Sequence, residues 1–303
     1  MVIDGGIDMI FAKKRRRIAV SDCLIVAFMV VIIVITLYPM YYAICASFSD
    51  ARGLLRFSGL LVAPLEPWTL QGYELCFRNP NILQGLLNSL FYLGMGTVVS
   101  LILTVAGAYI VSKTDFLLRN ALMKFMLVTM FFSGGLIPLF FVVKGVGIYN
   151  TRWAMILPYA ISTYNLIVMR SFFINLPGEL EESALLDGAN DLQILLRIVV
   201  PLSAPVIAVI TMYYAVGYWN SWYPSLVFQR SREMYPLQMI LREMLILNEA
   251  TEQTSQETIV EETYTRELVK YCVIIITTAP ILVVYPFLQR YFVKGVMIGA
   301  IKG

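Results

Sequence analysis

The sequence contains no histidine among its 303 residues. This absence excludes histidine-based acid–base catalysis, the usual serine triad and most zinc sites. The four cysteines, Cys23, Cys45, Cys76 and Cys272, have no spacing typical of a metal site or a redox pair. We therefore expect no metal site in this chain.

Two further absences concern nucleotides and nucleic acids. The sequence has no G-x-x-x-x-G-K-[ST] motif, so it lacks the loop that cradles the phosphates of ATP. The net charge is only +3 and comes largely from a basic cluster at residues 13–17, which gives little support to a nucleic-acid-binding face. We expect no bound cofactor, no nucleic-acid partner and no enzyme activity in the chain itself.

Charge of either sign is also scarce. Charged residues make up 14% of the sequence and hydrophobic residues 59%, with a mean hydropathy of +0.74. Soluble domains average about 25% charged residues. Here the charges lie in clusters between long uncharged runs, which predicts a protein embedded in a lipid bilayer.

Six charge-free windows meet or approach the roughly 20 apolar residues that a membrane-spanning helix needs. They cover residues 23–49, 79–112, 125–143, 153–169, 198–229 and 271–289. The sequence therefore predicts an all-α membrane protein with six transmembrane helices. The basic cluster at residues 13–17 places the N-terminus in the cytoplasm by the positive-inside rule, and six spans return the C-terminus to the same side.

These windows divide the chain into five parts. A basic cytoplasmic N-terminus (1–22), the first span (23–49) and an outer loop (50–78) precede a core of five further spans (79–292) and a cytoplasmic tail (293–303). The core includes a cytoplasmic loop at 175–201 and a glutamate-rich outer loop at 230–267. A cleaved signal peptide is the alternative for the first span, but its apolar run is long for a signal core and five more spans follow.

The cytoplasmic loop at 175–201 reads NLPGELEESALLDGANDLQILLRIVVP. Pro177 suits the first position of a short helix, and Gly188 can take the left-handed conformation that ends one. Asn190 or its neighbour can cap a second short helix, which Pro201 stops. The pattern predicts a bent pair of amphipathic helices under the bilayer. On these residues alone, both a protein-docking segment and an ordinary linker remain open.

The same segment resembles the EAA loop in the permease subunits of ABC importers. The spacing of Glu182-Ser183-Ala184, Gly188 and Ile198-x-x-Pro201 matches that loop, with serine in place of the first alanine and valine before the proline. Residues 286–303 resemble the ending of carbohydrate-type permeases similar to the smaller permease of the maltose system. FFSGGLIP at 131–138 and the block 169–201 resemble permeases for complex, uronate-containing oligosaccharides such as alginate.

This resemblance implies a type I ABC importer permease fold in the cell's inner membrane, half of a translocation path for an oligosaccharide. It implies a second, homologous permease, two ATP-binding subunits that hold ATP and Mg, and an extracytoplasmic solute-binding protein. In that family the EAA loop sits in a cleft on the ATP-binding subunit. The residues implied in this contact are Glu181, Glu182, Ser183, Ala184, Asp187, Gly188, Ala189, Ile198 and Pro201.

The outer loop at 230–267 corresponds to a loop that, in maltose-type permeases, reaches toward the binding protein and helps to displace sugar. This sequence has a loop of suitable position and length. A flexible tether is the alternative.

Polar side chains inside spans are costly unless they face protein or a water-filled path. The candidates to line a sugar path are Asn88, Asn165, Trp219 and Asn220. Bonds between helices, and an aromatic belt at the membrane interface, are the alternative roles for such residues.

Two other classes of membrane protein compete with the importer. An ATPase-independent secondary carrier or channel would be favoured by intramembrane ionisable residues, and the six windows contain none. A structural or receptor-like protein would use the cytoplasmic loop only as a linker.

Overall fold

The computed structural model describes residues 20–251, 266–283 and 286, and the regular elements of this part are all helices. The basic cluster at residues 13–17 and the C-terminal residues 287–303 lie outside it, as does the glutamate-rich stretch 252–265. The expected cytoplasmic position of both termini therefore falls outside the described residues.

The chain begins with a long apolar helix, α1, Val20–Ser47. The side chains of residues 24–37 are exposed, whereas Cys45 and Ala46 pack with Leu54 of the short helix α2, Ala51–Arg56. An apolar surface as large as that of α1 is stable only against lipid or another apolar surface. The helix α3, Gln71–Arg78, follows.

The second long helix, α4, covers Pro80–Ser112. Its start is capped by Asn79, whose side chain accepts a hydrogen bond from the Asn81 amide. A π-helical turn at Tyr92–Gly96 interrupts it, and a Cβ on Gly96 would lie 2.7 Å from the ring of Tyr218. Gly96 is therefore needed for the close approach of a neighbouring helix.

The third and fourth windows are broken rather than continuous. The third holds the end of α5, Arg119–Phe131, and most of α6, Leu136–Gly145, separated where Gly135 takes a φ of +83°. The fourth starts with 3₁₀ turns at Arg152–Met155 and Leu157–Tyr159. Helix α7, Thr163–Ile174, begins only after them. Hydropathy reports composition, so it does not reveal these backbone breaks.

The fifth window contains two breaks. Helix α8, Gly178–Leu186, precedes α9, Asp191–Leu202, which meets α10, Ala204–Trp219, at an angle of 85°. Helix α11, Trp222–Phe228, follows after a second turn. The sequence predicted that Pro201 would stop the helix, whereas α9 ends one residue later, at Leu202.

The described part of the segment 230–267 contains helices. Helix α12, Leu237–Thr251, packs its apolar face against α4 and against α13, which covers residues 266–283. The buried side chains of this contact include Ile82, Leu237, Ile240 and Leu268. Much of the described part of the predicted loop at 230–267 is therefore helical.

By length and composition, α1 and α4 are the described helices that could cross a membrane, and counting the bent pair α9–α10 as one span raises the number to three. The largest buried cluster joins α4, α7, α9 and α10. Its members include Tyr92, Met169, Ile194, Ile210 and Tyr218. This cluster connects the segment that begins with α8 to the centre of the helix bundle.

Candidate functional site

The bend between α8 and α9 is built from local signals. Gly188 has a φ of +81°, as its position predicted, and its amide donates to the Leu185 carbonyl at 3.0 Å. The Ala189 amide reaches back to the Ala184 carbonyl at 2.9 Å, which completes a Schellman-type ending of α8. Pro177 occupies the position before the helix rather than its first residue.

The start of α9 is fixed by a capping box. The side chain of Asn190 accepts from the Gln193 amide at 2.9 Å, and the Gln193 side chain accepts from the Asn190 amide at 3.0 Å. The predicted cap at Asn190 is confirmed. The backbone groups at the end of α8 and at the start of α9 are thus hydrogen-bonded, so the backbone itself sets the angle between the two helices at Gly188.

The helix pair α8–α9 has a buried face and an exposed face. Ile194, Leu195 and Val199 are buried in the main cluster, whereas Leu186 is 90% exposed and Leu192 is also exposed. Exposed apolar side chains at a capped bend are suited to an apolar pocket on another protein.

The nine residues implied in coupling divide between these faces. Ala184, Ala189, Ile198 and Glu181 are half-buried. The other five are exposed, namely Glu182, Ser183, Asp187, Gly188 and Pro201. The first group attaches the segment to the bundle, and the second is accessible to a partner.

Glu181 makes an ion pair with Lys113, which follows the last residue of α4. The Lys113 ammonium also lies 4.5 Å from the ring centroid of Tyr109. Burial opposes the charge of Lys113, but hydrogen bonds to Glu181 and Tyr109 outweigh it and raise the pKa of the lysine above its usual value. The ammonium is therefore charged at physiological pH, and the pair joins α8 to the end of α4.

A cavity of about 530 Å³ lies beside α7 and α10. Two of the predicted path residues, Asn165 and Asn220, line it. Its wall is rich in tyrosine, which the sequence analysis did not single out. The lining tyrosines are Tyr159, Tyr164, Tyr213, Tyr214 and Tyr218.

Two of these tyrosines are held by hydroxyl bonds to α4. The hydroxyl groups of Tyr214 and Thr104 lie 2.7 Å apart, and those of Tyr218 and Ser100 lie 2.9 Å apart. The rings of Tyr164 and Tyr213 contact each other with centroids 6.4 Å apart. Aromatic faces together with amide groups suit a sugar, which presents both C–H surfaces and hydroxyl groups.

The other two predicted path residues do not line this cavity. Asn88 is 2% exposed, and its amide nitrogen donates to the carbonyls of Glu233 at 2.7 Å and Tyr235 at 3.0 Å. Trp219 is also buried, and its indole nitrogen donates to the Thr277 carbonyl at 3.0 Å. These contacts connect separate elements and match the alternative role of bonding between helices.

Broken apolar helices surround a polar and aromatic cavity. The same part of the chain continues into a capped bend that exposes apolar side chains. This arrangement is typical of a membrane transport component. The chain belongs to the family of binding-protein-dependent transport system inner membrane components, whose model matches residues 96–298. It is therefore an inner-membrane protein of an ABC-type transport system. This confirms the expected family and location.

Two relatives from Bacillus subtilis (strain 168) cover most of the chain. The polygalacturonan/rhamnogalacturonan transport system permease protein YtcP is 38% identical over 282 residues, which are 93% of this chain and 98% of that protein. Protein LplC is 41% identical over 269 residues, which are 89% of this chain and 90% of that protein. The name of YtcP describes a permease, in agreement with a transport rather than an enzymatic role.

A solved structure shows the same fold. The crystal structure of a bacterial ABC transporter involved in the import of the acidic polysaccharide alginate matches with a TM-score of 0.83 and 28% identity. The match covers 91% of this chain and 98% of that one. The helical architecture is therefore that of an ABC importer permease.

Proposed function

We propose that this permease carries uronate-containing oligosaccharides and that α8 and α9 couple it to ATP-binding subunits. The name of YtcP and the alginate importer both point to acidic polysaccharides. On this proposal the chain crosses the membrane six times with both termini in the cytoplasm. A second permease completes the path, two ATP-binding subunits bind ATP and Mg, and a solute-binding protein delivers the sugar.

The exposed bend at Gly188 carries the coupling proposal. Leu186 is exposed there, and so are Glu182 and Asp187, whose carboxylates oppose burial of the bend in the acyl region of the bilayer. A pocket on a soluble subunit accommodates both the apolar side chain and its charged neighbours. This surface therefore fits an ATP-binding subunit better than lipid.

The connection from this bend to the cavity is continuous in sequence. Helix α9 runs from the bend into the buried cluster and meets α10, which supplies Tyr213, Tyr214, Gly217 and Tyr218 to the cavity. Movement of α8 by the ATP-binding subunits would thus displace the cavity wall. Asn165 and Asn220 would offer hydrogen bonds to sugar hydroxyl groups, and the tyrosine rings would stack on the sugar.

Two alanine substitutions test the coupling. Gly188→Ala places an L-residue in the left-handed backbone conformation, which costs about 1–2 kcal/mol. The added Cβ itself would meet no atom within 4 Å. The matched control, Gly178→Ala, also enters open space, but at an ordinary φ at the start of α8. Gly188→Asn should restore part of the function, because asparagine tolerates the left-handed region.

The measurement is ATP hydrolysis by the reconstituted complex when the binding protein is loaded with an oligogalacturonate. We expect Gly188→Ala to reduce the stimulation by up to about tenfold, with Gly178→Ala near wild type. Equal activity of both variants would contradict coupling through this bend. Uptake without any ATP-binding subunit would contradict the importer proposal and favour a secondary carrier or channel.

A further inference from the structure

The turn at residues 221–224 borders the cavity and contacts Arg242. Ser221 and Pro224 line the cavity, and the two residues between them are Trp222 and Tyr223, whose rings contact each other with centroids 5.6 Å apart. The guanidinium of Arg242, on α12, lies 4.9 Å from the ring centroid of Trp222. The positive charge of Arg242 thus contacts a residue of the turn that borders the cavity.

The contact with Trp222 is compatible with anion binding by Arg242. A guanidinium that stacks on a ring uses its flat face, while its N–H groups point outward in the plane and match a carboxylate. Among the side chains that the structure describes between residues 24 and 246 and between 266 and 283, the contact with Trp222 is the interaction given for Arg242. No carboxylate of this described part neutralises it.

Two neighbouring arginines have other contacts. Arg232 forms an ion pair with Glu243 at 3.0 Å. The guanidinium carbon of Arg230 lies 5.9 Å from the ring centroid of Tyr149. Arg242 therefore combines a positive charge, an aromatic support and a contact with the turn that borders the cavity.

We infer that Arg242 and Trp222 form an entry subsite in which the guanidinium binds the carboxylate of a uronate unit before the sugar reaches the tyrosine-lined cavity. The sugar ring would lie along the exposed part of Trp222, and Tyr223 would continue the aromatic surface to the cavity. This inference rests on the proposed function, and it assigns the preference for acidic sugars to a defined pair of side chains.

The test compares one oligogalacturonate with its methyl ester, in which every carboxylate is neutral. Each is loaded on the binding protein, and stimulated ATP hydrolysis is measured for the reconstituted complex. We expect Arg242→Gln to lower the response to the acid by about tenfold and to leave the response to the ester unchanged. Arg242→Lys should lie between, because lysine keeps the charge but loses the planar fork. Arg230→Gln is the matched control and should change neither response.

A second measurement does not depend on the ester. In wild type, added salt should weaken the response to the acid, since a charge contact at the surface is screened. This salt dependence should be smaller in Arg242→Gln than in Arg230→Gln.

Two results would overturn the subsite. Equal losses with acid and ester would assign Arg242 to docking of the binding protein or to stability, and an unchanged response to the acid would remove it from sugar recognition. A wild-type complex that no oligosaccharide stimulates would instead refute the proposed function itself.

Discussion

The ion pair between Lys113 and Glu181 allows a quantitative test of how α8 is attached to the membrane bundle. The two residues lie 68 positions apart, and the pair joins the end of α4 to the first turns of α8. We expect Lys113→Met and Glu181→Gln each to loosen this attachment. The charge-reversed double variant, Lys113→Glu with Glu181→Lys, should restore part of it.

The magnitude follows from the burial of the pair. The side chains of Lys113 and Glu181 are 21% and 29% exposed. Exposed pairs contribute about 0.2–1 kcal/mol, and removing one partner of a buried pair costs about 3–5 kcal/mol, so this pair should show a coupling of about 1–2 kcal/mol. Lys113→Met should cost about 0.5 kcal/mol more than Glu181→Gln, because it also loses the cation–π contact with Tyr109.

The sign of the pH dependence follows from the raised pKa of Lys113. A lysine whose pKa is higher in the folded protein contributes stability that is fully present below its usual pKa of about 10.4. That contribution disappears only as pH rises through the higher folded pKa. The difference in stability between wild type and Lys113→Met should therefore be constant from neutral pH to about pH 9.

The assay is a double-mutant cycle on the purified complex in lipid nanodiscs. Thermal unfolding gives the coupling energy, and ATP hydrolysis with loaded binding protein gives the functional effect. The stimulated rate should fall more than the basal rate, because the pair positions α8 and does not touch ATP. A coupling energy below about 0.3 kcal/mol, within the error of additivity, would refute the role assigned to this pair.

Two other substitutions distinguish a residue that stabilises the fold from a residue that lines the proposed sugar path. Asn88→Ala should cost about 2–3 kcal/mol in thermal stability, because the carbonyls of Glu233 and Tyr235 lose their buried donor; a selective change in sugar preference at unchanged stability would contradict this. Gly217→Trp should block uptake, because a Cβ there meets no atom within 4 Å and Gly217 lines the cavity. The control Gly145→Trp, at the open end of α6, should leave uptake intact, and equal blockage by both would argue against the cavity as the path.

Local sequence signals predicted local structure well. Gly188 takes the left-handed conformation and Asn190 forms its cap because both depend on residues within one helical turn. The break at Gly135 was not predicted, whereas the end of α9 was predicted at Pro201 and lies one residue later, at Leu202. A hydropathy window averages composition over about 20 residues, so it carries no information on where one helix ends inside it.

The candidate path residues show a different limit. A polar side chain in a span satisfies the same physical rule whether it faces a cavity or a backbone carbonyl. Trp219 bonds to the Thr277 carbonyl, 58 residues away, and no pattern around it reveals this partner. By contrast, Tyr213, Tyr214, Gly217 and Tyr218 recur on one helical face, and this spacing could have indicated the cavity wall.

The contacts of α4 bear on how the proposed coupling movement would pass from α8 to the cavity. One end of α4 is followed by Lys113, which pairs with Glu181 of α8, and its middle holds α10 through the hydroxyl groups of Ser100 and Thr104. Helices α8, α9 and α10 are consecutive in sequence, and α8 and α10 are each bonded to α4 or to the residue that follows it. The four helices therefore form a closed frame. Flexing at the 85° bend alone would stretch either the ion pair or the hydroxyl bonds. Tilting of the whole frame preserves both, and it would move the tyrosine wall together with the bend at Gly188.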